Sequence, residues 1–144
     1  MRDTSAIGNQ AMGAVLAALL RAEYRVLLPF GDGHPYDLAF ERDGELSRVQ
    51  CKTGRLIEAA KSARDSTGVI YFHTARHTRR GDGDLYRGYS EAEIDYFGVY
   101  CPQTSAVYLV PRKDVPAAAA HLRISPPRNG QTHGVRWAKD YLVS

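Results

Sequence analysis

The sequence predicts a single α/β domain, opening with one long helix and continuing as a series of short strands. Three observations lead there. The chain has 144 residues, 44% of them hydrophobic and 24% charged, which suits one buried core and leaves little room for a second. Apolar residues near the start recur at helical spacing, and later ones gather in short runs rich in Val, Tyr and Phe between Gly, Pro and Asp turns.

The helix is expected over about Ile7 to Ala22, capped by Asp3, Thr4 or Ser5, with Val15, Leu16, Leu19 and Leu20 on the face that packs against a sheet. Tyr24 to Phe30 follows as a strand, and Gly31-Asp32-Gly33-His34-Pro35 as a loop. Tyr36–Phe40 and Leu46–Lys52 flank Asp43-Gly44, a dipeptide suited to the tightest hairpin turns, so these two strands pair antiparallel. Thr53–Arg55 breaks the second of them. Leu56 to Arg64 reads as irregular or a short helix, and Val69–Thr74 as another strand. Arg76 to Gly88 is poor in apolar residues and reads as a mobile loop. Ser90 with Glu91 and Glu93 forms a capped turn ahead of the strand Tyr96–Tyr100, which a short connection joins to Ala106–Pro111. Beyond it an Ala-rich segment reads as a short helix with Pro116 in its first turn.

The longest nearly uncharged stretch, Ala6 to Leu20, is broken by Asn9 and Gln10 and is too short to span a membrane. No secretory pattern opens the chain, and the expected location is the cytoplasm. Cys51 and Cys101 lack metal-ligand spacing and make a poor disulfide framework, so both are expected as buried thiols. The net charge of +3 permits a nucleic-acid partner without demanding one. Its distribution says more. Arg76, Arg79, Arg80 and Arg87 crowd one segment, although Asp82 and Asp84 offset them in part. From Val115 to Lys139 there is no carboxylate, while Arg123, Arg128, Arg136 and Lys139 make a second basic surface for DNA phosphates.

The chemistry centres on the predicted hairpin. Strand side chains alternate, so Gln50 and Lys52 share a face while Cys51 takes the other, and the pairing brings Asp37 opposite Gln50. A carboxylate, an amide oxygen and an ammonium then meet, a set that can hold a divalent metal and face a phosphate. By spacing alone, a solvated hairpin face with a surface ion pair explains the same residues. Asp32 and His34 suggest a further metal pair, though a Gly-flanked Asp usually serves its turn. His73 suits cross-strand packing better than catalysis.

The order Pro35-Tyr36-Asp37, then Gln50-Cys51-Lys52-Thr53-Gly54, resembles the motif of the PD-(D/E)XK nucleases in the variant with Gln for the second acid. Blocks along most of the chain resemble the PD-(D/E)XK endonuclease family that includes an intron-encoded homing endonuclease, and more distantly the Holliday junction resolvases. These blocks begin at Tyr24, Arg48, Tyr89 and Arg136. The resemblance implies one nuclease-like domain over 1–144, with a restriction-endonuclease-like mixed central sheet flanked by helices. It implies a magnesium- or manganese-dependent endonuclease acting on double-stranded or branched DNA, working as a homodimer or homotetramer because two strands need two sites. It assigns the metal to Asp37, the Gln50 side-chain oxygen and the Cys51 carbonyl, and assigns Lys52 to the attacking water and the phosphate. Arg79, Arg80, Arg128 and Arg136 then serve DNA binding.

One position departs from the pattern. The family's first helix presents a Glu four residues after a Gly, and counting from Gly8 that place holds Met12. A thioether is a poor ligand for a hard cation, so Asp37 is left as the only carboxylate of the motif. Cleavage is then weakened. The alternative is a DNA- or junction-binding module on the same fold with little or no cleavage, and the plain reading of Met12 is a core residue.

Overall fold

A computed structural model describes residues 4–58, 68–80, 83–125, 130 and 133–144, with the backbone alone for 77–80 and 83–86. Helix α1 (Thr4–Arg21) comes first, followed by β1 (Arg25–Leu27), β2 (Leu38–Arg42), β3 (Glu45–Thr53) and β4 (Arg55–Glu58). Then come β5 (Gly68–His73), β6 (Ala75–Arg80), β7 (Gly83–Gly88), β8 (Tyr96–Cys101), β9 (Ala106–Pro111) and β10 (Ala119–Arg123). A five-stranded sheet runs β1-β2-β3-β8-β9, a three-stranded sheet β10-β5-β4, and β6 with β7 forms a separate hairpin. Only β3 and β8 pair in parallel among these strands, so the central sheet is mixed, as expected. Asp43 and Gly44 take φ of 54° and 79°, the left-handed pair that a two-residue hairpin between β2 and β3 requires.

The alternation along β3 organises the layers. Val49 and Cys51 point to the α1 side, where they join Val15, Ala18, Leu19, Leu38 and Phe40 in one core cluster. On the opposite face Phe97, Val99 and Val110 pack against Ile70, Phe72 and Leu122 of the three-stranded sheet in a second cluster. Full burial of each such Val, Leu, Ile or Phe is worth about 1.5–3 kcal/mol. Among the described residues one α-helix covers one face and strands cover the other, in place of helices on both. Gly98 lets α1 come close: a Cβ there would stand 2.8 Å from Val15 Cγ1 and 3.0 Å from Val49 Cγ1.

Three local expectations differ from the structure. The segment read as a mobile loop is the β6–β7 hairpin, which pairs from Ala75–Gly88 to Arg80–Gly83. The Ala-rich segment forms a 3-10 turn at Arg112–Asp114 and then β10, not a helix. Its Ala120 and Leu122 are buried at alternate positions against β5, so sheet pairing overrides the helical preference of alanine. Residues 56–58 belong to β4, while the rest of the Leu56–Arg64 segment and the Asp3 cap lie outside the described residues.

Glu93 ties the hairpin to the body. Its carboxylate accepts from Arg76 at 2.7 Å and from Arg87 at 2.9 and 3.0 Å, and also from the Ser90 backbone N–H at 3.0 Å. Arg76 and Arg87 face each other across β6 and β7, so one acid holds both arms. The Arg87 guanidinium and the Ser90 N–H lower the Glu93 pKa from 4.5 to about 2.

Two predictions concern stability. Gly98→Ala should destabilise the fold by about 1–3 kcal/mol in denaturant unfolding, because the methyl overpacks the α1 contact. The loss should shrink in a Val15→Ala background; an undiminished loss removes that contact as the cause. For Glu93 the folded pKa lies below the ordinary value, so its contribution is complete above pH 4.5 and disappears as pH falls towards about 2. Glu93→Gln should therefore lower Tm at neutral pH, and the gap from the parent should close across that interval; a pH-independent gap rules the ion pairs out.

Candidate active site

Strand β2 ends its pairing with β3 at Leu38 opposite Val49, and the chain before it stays in line because Asp37 N–H donates to the Val49 carbonyl at 2.9 Å. One step back, continuing the register brings Asp37 level with Gln50. Its Oδ2 accepts from the Cys51 backbone N–H at 2.8 Å. A β residue turns N–H and C=O to the same side, so Cys51 presents its carbonyl to the same strand edge where β2 has stopped. The Asp37 carboxylate and the Cys51 backbone thus meet at one end of the hairpin, with Gln50 next to Cys51 in the chain.

Lys52 lies two residues beyond Gln50 and on the same face. Its Nζ donates to the Ala75 carbonyl at 3.3 Å and stands 5.3 Å from the centroid of the Tyr89 ring. Burial raises the Asp37 pKa, and the Cys51 N–H and the Lys52 charge oppose that rise. Burial likewise lowers the Lys52 pKa, with Asp37 opposing. Each charge offsets part of the other's desolvation. The Tyr89 pKa is raised, first by burial, and the ring packs edge-on to Phe97 at 5.7 Å. Tyr89 opens one of the blocks that carry the resemblance, but its place beside Lys52 depends on a hairpin that reads as a loop in the sequence.

Asp37 opens on a cavity of about 330 Å³ whose wall also includes Met12, Leu28, Asp32, His34 and Tyr36. Met12 is half-buried and packs beside the α1 core cluster while reaching this wall. The helix therefore brings the departing position to the Asp37 cavity and not into a sealed core. Among the described residues no group of three or more His, Cys, Asp and Glu side chains could hold a metal. The donors present are nevertheless the hard oxygens that magnesium takes, and that ion is commonly held by one or two carboxylates, with waters and substrate phosphate completing its shell. The donor set fits such an ion, with one carboxylate.

The other candidates are placed less centrally. Asp32 and His34 share the cavity wall, and the His34 ring nitrogen Nε2 bonds the Phe30 carbonyl at 2.7 Å, a contact that serves the loop. His73 is exposed and packs edge-on to Tyr71 at 5.2 Å. Cys51 and Cys101 are buried free thiols. Arg79 and Arg80 occupy the far end of β6, and Arg128 lies outside the described residues. Arg136 donates from Nε to the Asp114 carbonyl at 2.7 Å, which ties it to the 3-10 turn. Arg48 has a structural task with no local signal in the sequence: its side chain and backbone N–H engage Asp95, and the guanidinium also reaches the Glu91 and Ala92 carbonyls.

Comparison with known proteins bears on the fold and the family. No protein with a curated description matches the sequence. Among solved structures, the bacterial homing endonuclease I-Ssp6803I superposes with a TM-score of 0.71 at 21% identity, over 98% of this chain and 89% of that one. That similarity is one of fold, and it bears out a restriction-endonuclease-like architecture. No helix among the described residues is long and apolar enough to cross a membrane. The sequence profile of the PD-(D/E)XK endonucleases matches residues 2–144, and this chain belongs to the PD-(D/E)XK endonuclease family.

Proposed function

We propose that this protein is a metal-dependent DNA endonuclease whose active site comprises Asp37, Gln50 and Lys52. The observation that carries the reading is the Asp37 carboxylate held by the Cys51 N–H at 2.8 Å beside a half-buried Lys52, in a chain of this family. A divalent cation, magnesium or manganese, would supply water activation and charge neutralisation at the phosphodiester. Asp37 and the Gln50 oxygen hold it, with the Cys51 carbonyl on the same edge. The Cys51 N–H fixes one carboxylate oxygen and so sets the direction of the other. Lys52 places positive charge where negative charge grows on the phosphate, in surroundings that screen it less than water does. Arg79, Arg80, Arg128 and Arg136 supply contacts to the DNA backbone, and two copies of the chain supply the two sites that a double-strand cut needs, as a homodimer or homotetramer.

A second reading has one specific observation in its favour. Met12 lines the Asp37 cavity where relatives present a Glu, and a DNA- or junction-binding protein with little cleavage follows if one carboxylate is too few.

Asp37→Asn should reduce metal-dependent plasmid and junction cleavage below about 1% of the parent rate while DNA affinity in EDTA changes little, since phosphate contacts elsewhere dominate affinity. Lys52→Ala should cost roughly 100-fold in rate with metal affinity nearly unchanged. Parent-like cleavage by either variant removes that residue from the mechanism. Met12→Glu should tighten magnesium binding and raise the rate about tenfold or more, as expected for one added charge contact at the reacting centre. Thermal unfolding run beside it guards against a buried, protonated carboxylate. A variant as stable as the parent with no gain in metal affinity or rate would sink the role given to this position.

A further inference from the structure

The lip of the Asp37 cavity carries a feature that metal chemistry does not use. Phe30 is 99% exposed and its neighbour Leu28 59% exposed, on the loop between β1 and β2. A single exposed ring is ordinary, but Phe30 and Leu28 expose apolar surface two residues apart on a segment that borders a polar cavity. The chain turns tightly after the ring: Gly31 and Gly33 take φ of 86° and 82°, a left-handed region that L side chains rarely adopt. His34 closes the turn by bonding the Phe30 carbonyl, and its ring rests on Tyr36 at 5.8 Å. Leu28, Pro29, Gly31, Asp32 and Gly33 belong to the wall of the cavity that Asp37 lines. Between Leu28 and Tyr36 the single formal charge is the carboxylate of Asp32, so this loop offers phosphate no cation.

We propose that Phe30 is a base-contacting wedge, which packs its ring on the face of a nucleotide base beside the phosphate addressed by Asp37 and Lys52. The inference rests on the endonuclease reading and adds to it a preference among DNA shapes. DNA presents two kinds of surface, charged backbone and apolar base faces, and an uncharged aromatic tip is complementary to the second. Intact duplex hides its base faces in the stack. Opening a step costs about as much as one aromatic ring regains, so Phe30 gains most where a base is already unstacked, as at a branch point. A second copy of the chain seated on Phe30 would instead cover the cavity mouth and shut substrate out.

The test measures affinity in EDTA, where cleavage does not intervene, for a four-way junction and for a linear duplex of equal length, across a range of salt. Phe30→Ala should weaken junction binding by about tenfold and duplex binding by clearly less. The plot of log affinity against log salt should shift in parallel, because no phosphate contact is lost. Equal affinities of parent and variant for both substrates overturn the wedge, and so does a flattened salt slope. A change in sedimentation behaviour of the variant without DNA also overturns it and assigns Phe30 to contact between copies. Failure of the parent to bind either DNA is a separate result, which removes the endonuclease reading itself.

Discussion

Strand β3 has neighbours on both edges and a layer over both faces, and that confinement governs the molecule. β2 and β8 fix its edges, α1 covers one face, and the three-stranded sheet lies beyond the other. A slip of one residue would send Gln50 and Lys52 into the α1 core and bring Val49 and Cys51 to the polar face, so the register has one acceptable value. The same constraint makes the site rigid. Asp37 need not be positioned by its own packing, because the β3 backbone supplies both the Val49 carbonyl that aligns its peptide and the Cys51 N–H that aligns its carboxylate.

Burial gives the pair its character. Asp37 and Lys52 are each pushed towards neutrality by burial and held back by the other, an arrangement that a solvated hairpin face does not produce. The cavity that Asp37 lines is bounded by Met12 from the helix and by the β1–β2 loop from the sheet edge. Three separate stretches of chain thus meet where the hairpin begins, and a substitution in the helix bears directly on the chemistry of the sheet.

Much of this arrangement was legible in the sequence. The Asp43-Gly44 turn set the β2–β3 pairing, whose register runs from Arg42↔Glu45 to Leu38↔Val49 and leaves Asp37 one step beyond it. Helix α1 followed from the spacing of Val15, Leu16 and Leu19, whereas Leu20, expected on the same packing face, is exposed and Ala11 and Ala18 complete that face instead. What the sequence hid depends on contacts distant along the chain. The β6–β7 hairpin has the composition of a loop and owes its anchorage to Glu93, whose partner Arg76 lies 17 positions away. The Ala run before Arg123 became a strand because β5 offered it a free edge, which no local propensity encodes. Arg48 and Asp95 pair across 47 positions, so neither advertised the other.

The bond from Lys52 to Ala75 joins the site to the first residue of the hairpin. At 3.3 Å it is near the limit of hydrogen-bond reach, so a small outward swing of the hairpin base breaks it and a small inward one strengthens it. Glu93 grips both arms near that base, and the two strands therefore move together. The hairpin base is thus one of the walls around the lysine, so a substitution that shifts Ala75 changes where the ammonium rests.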